Sequence, residues 1–201
     1  MKKYNIKDYE VLLPPYELDF DNWNHKKAQD YLEWFKSNLY ERSVYVYNKA
    51  VTKSDTVLDT SPEVLRKVWK WFLKIAEIEK VPEKEQKGEF GYLGESFISR
   101  TQLSVLTEFI IRDIAMLMSV VFMENHSCLY WDFDTKPKQY IFLNHPVIKG
   151  FVDNRAGKPF YPVFEPVHMV HVQASGILEN EATVNDLINI YYKWESTIPK
   201  I

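Results

Sequence analysis

Thr101-Gln-Leu-Ser-Val-Leu-Thr-Glu-Phe-Ile-Ile-Arg-Asp-Ile-Ala-Met-Leu-Met-Ser-Val-Val-Phe-Met123 is the stretch on which the fold turns. Leu103, Leu106, Ile110, Ile114, Leu117 and Val121 recur at helical spacing, and Phe109, Ala115, Met116, Val120 and Met123 cover much of the remaining circumference. A helix apolar on every side belongs in a protein interior or in a bilayer. A bilayer span needs about 20 apolar residues with few charges, whereas Glu108, Arg112 and Asp113 interrupt this run and leave only Ile114–Met123 free of charge. The stretch therefore predicts a buried helix, not a membrane span. Glu108 and Arg112 stand four apart, a spacing that lets them pair on one face. An unpaired buried charge is costly, so the trio is expected to be satisfied in an ion-pair network.

Working outward toward the C-terminus, the pattern turns to β structure. Leu129–Asp134 alternates, with Trp131 and Phe133 on one face and Asp132 and Asp134 on the other. Pro137 has no N–H to donate, so a turn is expected at Thr135–Lys138. Tyr140–Leu143 and Val147–Val152 then complete a small antiparallel meander, with a break at Asn144-His-Pro146. Beyond a proline-punctuated connection, the valine-rich Val167–Ser175 reads as a further strand. A last helix follows Thr183, with Leu187, Ile190, Tyr191 and Trp194 on one side to dock on the core.

Toward the N-terminus, Ala28, Tyr31, Leu32, Phe35 and Leu39 mark a helix that Asn22 or Asn24 can cap. Glu41–Val51 reads as a second helical piece, with strand as the alternative because Val44–Tyr47 alternates. Ser61-Pro62 is a helix start, since proline suits the first helical position, and Leu65, Val68, Trp69, Phe72 and Leu73 give that helix its apolar face. Residues 1–22 are expected to form an extended arm, with Glu10–Leu13 as a candidate short strand. Residues 82–96, charged and glycine-rich, are expected to form a loop. The expectation for the whole is one α+β domain over residues 1–201: about five helices packed on a small, mainly antiparallel sheet, drawn largely from residues 129–175, with one central buried helix.

The 201 residues are 46% hydrophobic and 15% aromatic, which disfavours disorder. A net charge of −3 gives no electrostatic footprint for nucleic acid. Cys128 is the single cysteine, so no intramolecular disulfide forms, and a reducing, cytoplasmic location is the simplest expectation. Lys2-Lys3 has no apolar segment behind it, so no secretory leader is expected.

The candidate constellations are few. His168 and His171, three apart on a strand, point to opposite faces, so no metal is expected there; on a helix the two would share a face. Asp132 and Asp134 share one strand face, and His126 and His145 flank the meander; together these four define a candidate pocket between the central helix and the sheet. Trp131, Asp132, Asp134, Lys136 and Lys138 form the candidate protein-binding surface. Cys128 reads as a buried structural thiol. Gly88, Gly91 and Gly94 lack the context of a phosphate loop, and no nucleophile elbow or zinc-binding helix is present, so neither a catalytic residue nor a cofactor is assigned.

Tyr31-Leu-Glu-Trp-Phe35, Ser61-Pro-Glu-x-Leu65 with Trp69-Lys-Trp-Phe72, Arg112-Asp113, Trp131-x-Phe-x-Thr-Lys-Pro-Lys138 and Pro146-Val-Ile-x-Gly-Phe151 together resemble a family of uncharacterised single-domain proteins from Gram-positive bacteria. The resemblance runs over most of the chain from about residue 25, and it implies no activity and no catalytic residue. Small acidic proteins rich in aromatics are similar to immunity proteins that neutralise toxins. The expectation is thus a cytoplasmic module that binds a protein partner, of the immunity type. The alternative is a small-molecule binder or enzyme using the pocket beside the central helix.

Overall fold

The computed structural model describes residues 8–51, 57–81, 101–154 and 157–199. The first seven residues of the expected arm and the loop expected at 82–96 lie outside the described residues. The order of elements is α1 (His25–Val51), α2 (Glu63–Ile75), β1 (Ile78–Lys80), β2 (Thr101–Leu103), α3 (Val105–Asn125), β3 (Tyr130–Asp132), β4 (Val147–Lys149), α4 (Pro166–Ser175) and α5 (Asp186–Glu195). The class is α+β, with five helices and two antiparallel two-stranded ribbons among the described residues.

α3 is the buried axis. Ser104 caps it by accepting from the Thr107 amide, and Leu103, one residue earlier, belongs to β2 rather than to the helix. From Ile110 to Phe122 every residue is buried. α1, α2 and α4 all pack on this rod, and one hydrophobic cluster takes residues from all five helices. Phe122 sits among Phe151, Phe164 and Tyr191, with ring centroids 5.8, 5.0 and 4.5 Å away. No described helix is long and apolar enough to cross a membrane.

α1 is a single helix of 27 residues, so the alternation at Val44–Tyr47 does not mark a strand. Asn24 caps it through its side-chain oxygen, 2.9 Å from the Lys27 amide. Val46 and Tyr47 are buried against the core while Val44 and Tyr45 pack at its margin, so two adjacent pairs simply straddle the edge of a helical face. The arm ahead of α1 runs without a strand at Glu10–Leu13. It is pinned to the helices by side chains: Arg42 donates to the Glu10 carbonyl, and Arg112 to that of Leu12. Asn144 holds the far end of the arm at the carbonyls of Phe20 and Trp23.

Two expected strands are corrected. Tyr140–Leu143 folds as consecutive turns, with the amides of Tyr140, Leu143 and His145 donating to the carbonyls of Pro137, Tyr140 and Phe142. β3 pairs instead with β4, placing Trp131 opposite Ile148. Val167–Ser175 is helix α4. Pro166 stands in its first turn and the Glu165 carboxylate caps it at the His168 amide. These start signals, with Val170 and Ala174 four apart and buried, outweigh the strand preference of three valines. The sheet expected over 129–175 is therefore smaller, and a second ribbon, β1–β2, lies ahead of α3.

Candidate functional site

α1, α3 and α4 do not close completely on one another. Between them, roofed by the arm, lies a cavity of about 410 Å³, within the range of small-molecule sites. Its apolar wall comes from Leu18 and Phe20 of the arm, Tyr31 and Phe35 of α1, Phe109 of α3 and Val167 of α4. Its polar groups are Glu108 and Arg112 of α3, His168 and His171 of α4, and His145 and Glu165 from the connections.

The helical state of α4 makes this cluster possible. Three residues apart on a helix, His168 and His171 share a face, and both line the cavity, which corrects the opposed orientation expected of a strand. His171 Nε2 lies 3.1 Å from Glu108 Oε1, and this hydrogen bond raises the His171 pKa against the opposing effect of burial. Glu165 is buried at 3% exposure; its carboxylate meets His145 Nδ1 at 3.1 Å and also takes the His168 amide. The His145 ring in turn stacks on Phe20, with centroids 3.7 Å apart.

Arg112 differs from these paired groups. The pairing expected with Glu108 does not form, because Glu108 is taken by His171. Arg112 is 4% exposed and donates through Nη2 to the Leu12 carbonyl, while its Nε has no partner. No carboxylate among the described residues pairs with it. Its guanidinium lies 5.3 Å from the Trp34 ring and 5.1 Å from the Phe109 ring, contacts that offset part of the cost of burying the charge. Burial lowers its pKa from the usual arginine value, though not enough to discharge a guanidinium.

The residues singled out in the sequence fall in several places. Of His126, Asp132, Asp134 and His145, only His145 lines this cavity. Asp132 and Asp134 are bridged by Lys149, whose Nζ lies 2.9 and 2.8 Å from their oxygens. Burial lowers the Lys149 pKa, and the two carboxylates more than reverse that, leaving it raised. His126 is 3.0 Å from the Tyr191 hydroxyl and 3.2 Å from Glu195. Trp131 is half-buried against Phe35, and Lys136 and Lys138 are exposed on the turn after β3. Cys128, expected to be buried, is half-buried. Among the described residues no group of three or more His, Cys, Asp or Glu side chains is placed to hold a metal ion.

A second cleft, of about 640 Å³, lies between Val152, Phe160, Met169 and Trp194. It is more polar, and its charged residues, Asp153 and Lys193, are not buried. In comparisons with family models, curated proteins and solved structures, the chain has no match.

Proposed function

We propose that this protein binds a small, largely apolar molecule in the cavity between α1, α3 and α4. The observation that carries the reading is the combination of aromatic and aliphatic walls with a few convergent polar groups, the usual composition of a small-molecule site. The six polar groups stand at the junction of four chain segments, so a bound molecule would tie the arm to the helices. Two Glu–His pairs flank the space, but no serine, threonine or cysteine is among the described lining residues. The geometry thus favours binding over nucleophilic catalysis. Calorimetric titration with octan-1-ol tests the reading: saturable binding of one equivalent supports it, and no heat and no thermal shift at the solubility limit opposes it.

A second reading keeps the chain as a protein-binding module of the immunity type. It is favoured by Ile141, 70% exposed in the connection between β3 and β4 that also carries the exposed Lys136 and Lys138. An exposed apolar residue on the same connection as two exposed cations suits an acidic partner. Recovery of one stoichiometric protein by the wild type and not by Ile141→Asp would support this reading. Equal recovery by both, or none, would oppose it.

A further inference from the structure

We infer that the ligand class of the α1–α3–α4 cavity is a monoanion, an apolar tail bearing one carboxylate, with Arg112 as the residue that reads the acid group. This inference rests on the cavity being a binding site, as proposed above, and adds the chemistry of what enters it.

Among the described lining residues are two acids and four basic side chains, and both acids and two of the histidines are engaged with one another. Glu108 holds His171, and Glu165 holds His145 and the His168 amide in the first turn of α4. The positive end of α4 is thereby occupied by the protein's own carboxylate. Arg112 alone combines burial, a full positive charge and no hydrogen-bonded acid among the described residues; the charge of Asp113 reaches it, but that carboxylate is bonded to Arg42 and Tyr9. A guanidinium has five N–H donors in a planar fork, and a single donor here reaches the Leu12 carbonyl. An unpaired buried charge is costly unless something compensates it. Trp34 and Phe109 supply part of that compensation from the flanks, but they accept no hydrogen bonds in the plane of the fork. A carboxylate is the group that matches a guanidinium fork, and the apolar walls formed by Phe35, Phe109 and Val167 take the remainder of the molecule.

The test compares three probes of one chain length by calorimetry at neutral pH: octanoate, octan-1-ol and octylamine. The expected result is that wild-type protein binds octanoate at least about tenfold more tightly than octan-1-ol, with octylamine weakest. In Arg112→Met the preference for octanoate over octan-1-ol should vanish while octan-1-ol still binds. Arg112→Lys, which keeps a point charge without the fork, should retain an intermediate preference. Equal wild-type affinity for octanoate and octan-1-ol overturns the inference and leaves the cavity reading standing. Preference for octylamine overturns it in favour of Glu108 and Glu165 as the reading groups. Binding of none of the three removes the cavity reading along with the inference. The wild-type comparison decides the ligand class even if Arg112→Met fails to fold.

Discussion

Arg42 on α1 and Asp113 on α3 form an ion pair whose side chains are 6% and 1% exposed. Asp113 Oδ2 accepts from Arg42 Nε at 3.2 Å and Nη2 at 2.5 Å, and from the Tyr9 hydroxyl at 2.6 Å. Arm, first helix and central helix thus meet at one oxygen. Burial lowers the Arg42 pKa, but the hydrogen bond and charge of Asp113 more than reverse this and leave it raised. Burial, reinforced by Asp113, pushes the Tyr9 phenol well above its ordinary value. Removing one partner strands the other charge, so Asp113→Ala is expected to destabilise by about 3–5 kcal/mol. Arg42→Ala should cost a similar amount, and the double variant much less than the sum. Urea denaturation checks this; a loss below about 1 kcal/mol for either single variant would contradict the buried pairing.

Gly150 follows β4 with φ +115°. A Cβ there would lie 2.7 Å from the Cys128 carbonyl oxygen and 3.0 Å from Leu129 Cδ2. Both the backbone conformation and the space demand glycine. Gly150→Ala is therefore expected to cost about 1–3 kcal/mol, read as a lowered urea midpoint. Gly157→Ala is the control: it also has a positive φ, of 75°, but among the described residues nothing lies within 4 Å of its Cβ position. It should cost less.

His171 gives a pH signature with a fixed sign. Its hydrogen bond to Glu108 raises its folded pKa, with burial acting the other way. The folded state therefore holds the proton more tightly, and the pair contributes its full stability below the unfolded value of about 6.5. That contribution is lost as pH rises through the raised folded value. The two side chains are 45% and 42% exposed, so solvent screening limits the effect to about 0.5 kcal/mol. Urea midpoints of wild type and His171→Gln, measured from mildly acidic to mildly alkaline pH, should converge as pH rises. A gap that widens would reverse the assignment.

Val167 is half-buried on α4 and faces the cavity. Val167 packs at the margin of both hydrophobic clusters, so Val167→Phe fills the space at a cost of about 1–3 kcal/mol. Affinity for octan-1-ol should fall by about tenfold or more. Unchanged affinity in the folded variant would place the alcohol elsewhere.

The long-range shape was legible where one signal dominated. Apolar residues on every face of 103–123 identify the buried rod and Asn24 caps α1 as one of the two candidates, whereas Ser61-Pro62 marks the start of α2 only to within a residue: the helix begins at Glu63, and the Ser61 hydroxyl donates to Asp59 instead of capping it. Local ambiguity defeated the rest. Val167, Val170 and Val172 favour a strand by propensity, but the same segment carries a glutamate cap and a proline at its start. Reading those two residues first would have placed His168 and His171 on one helical face and brought α4 to the site. Spacing alone pairs Arg112 with Glu108, whereas its actual surroundings depend on the arm and α1, 100 and 78 residues away at Leu12 and Trp34. Asp132 and Asp134 did share a face, but Lys149, which neutralises them, arrives only through β3–β4 pairing. Contacts made across the tertiary fold leave no trace in local periodicity.

The most direct measurement is a crystal of the protein soaked with 8-bromooctan-1-ol, with data collected at the bromine absorption edge. The expected result is an anomalous bromine peak inside the α1–α3–α4 cavity, within van der Waals contact of Phe35, Phe109 or Val167. A peak confined to the second cleft, beside Phe160 and Trp194, or no peak at saturating alcohol, would contradict it.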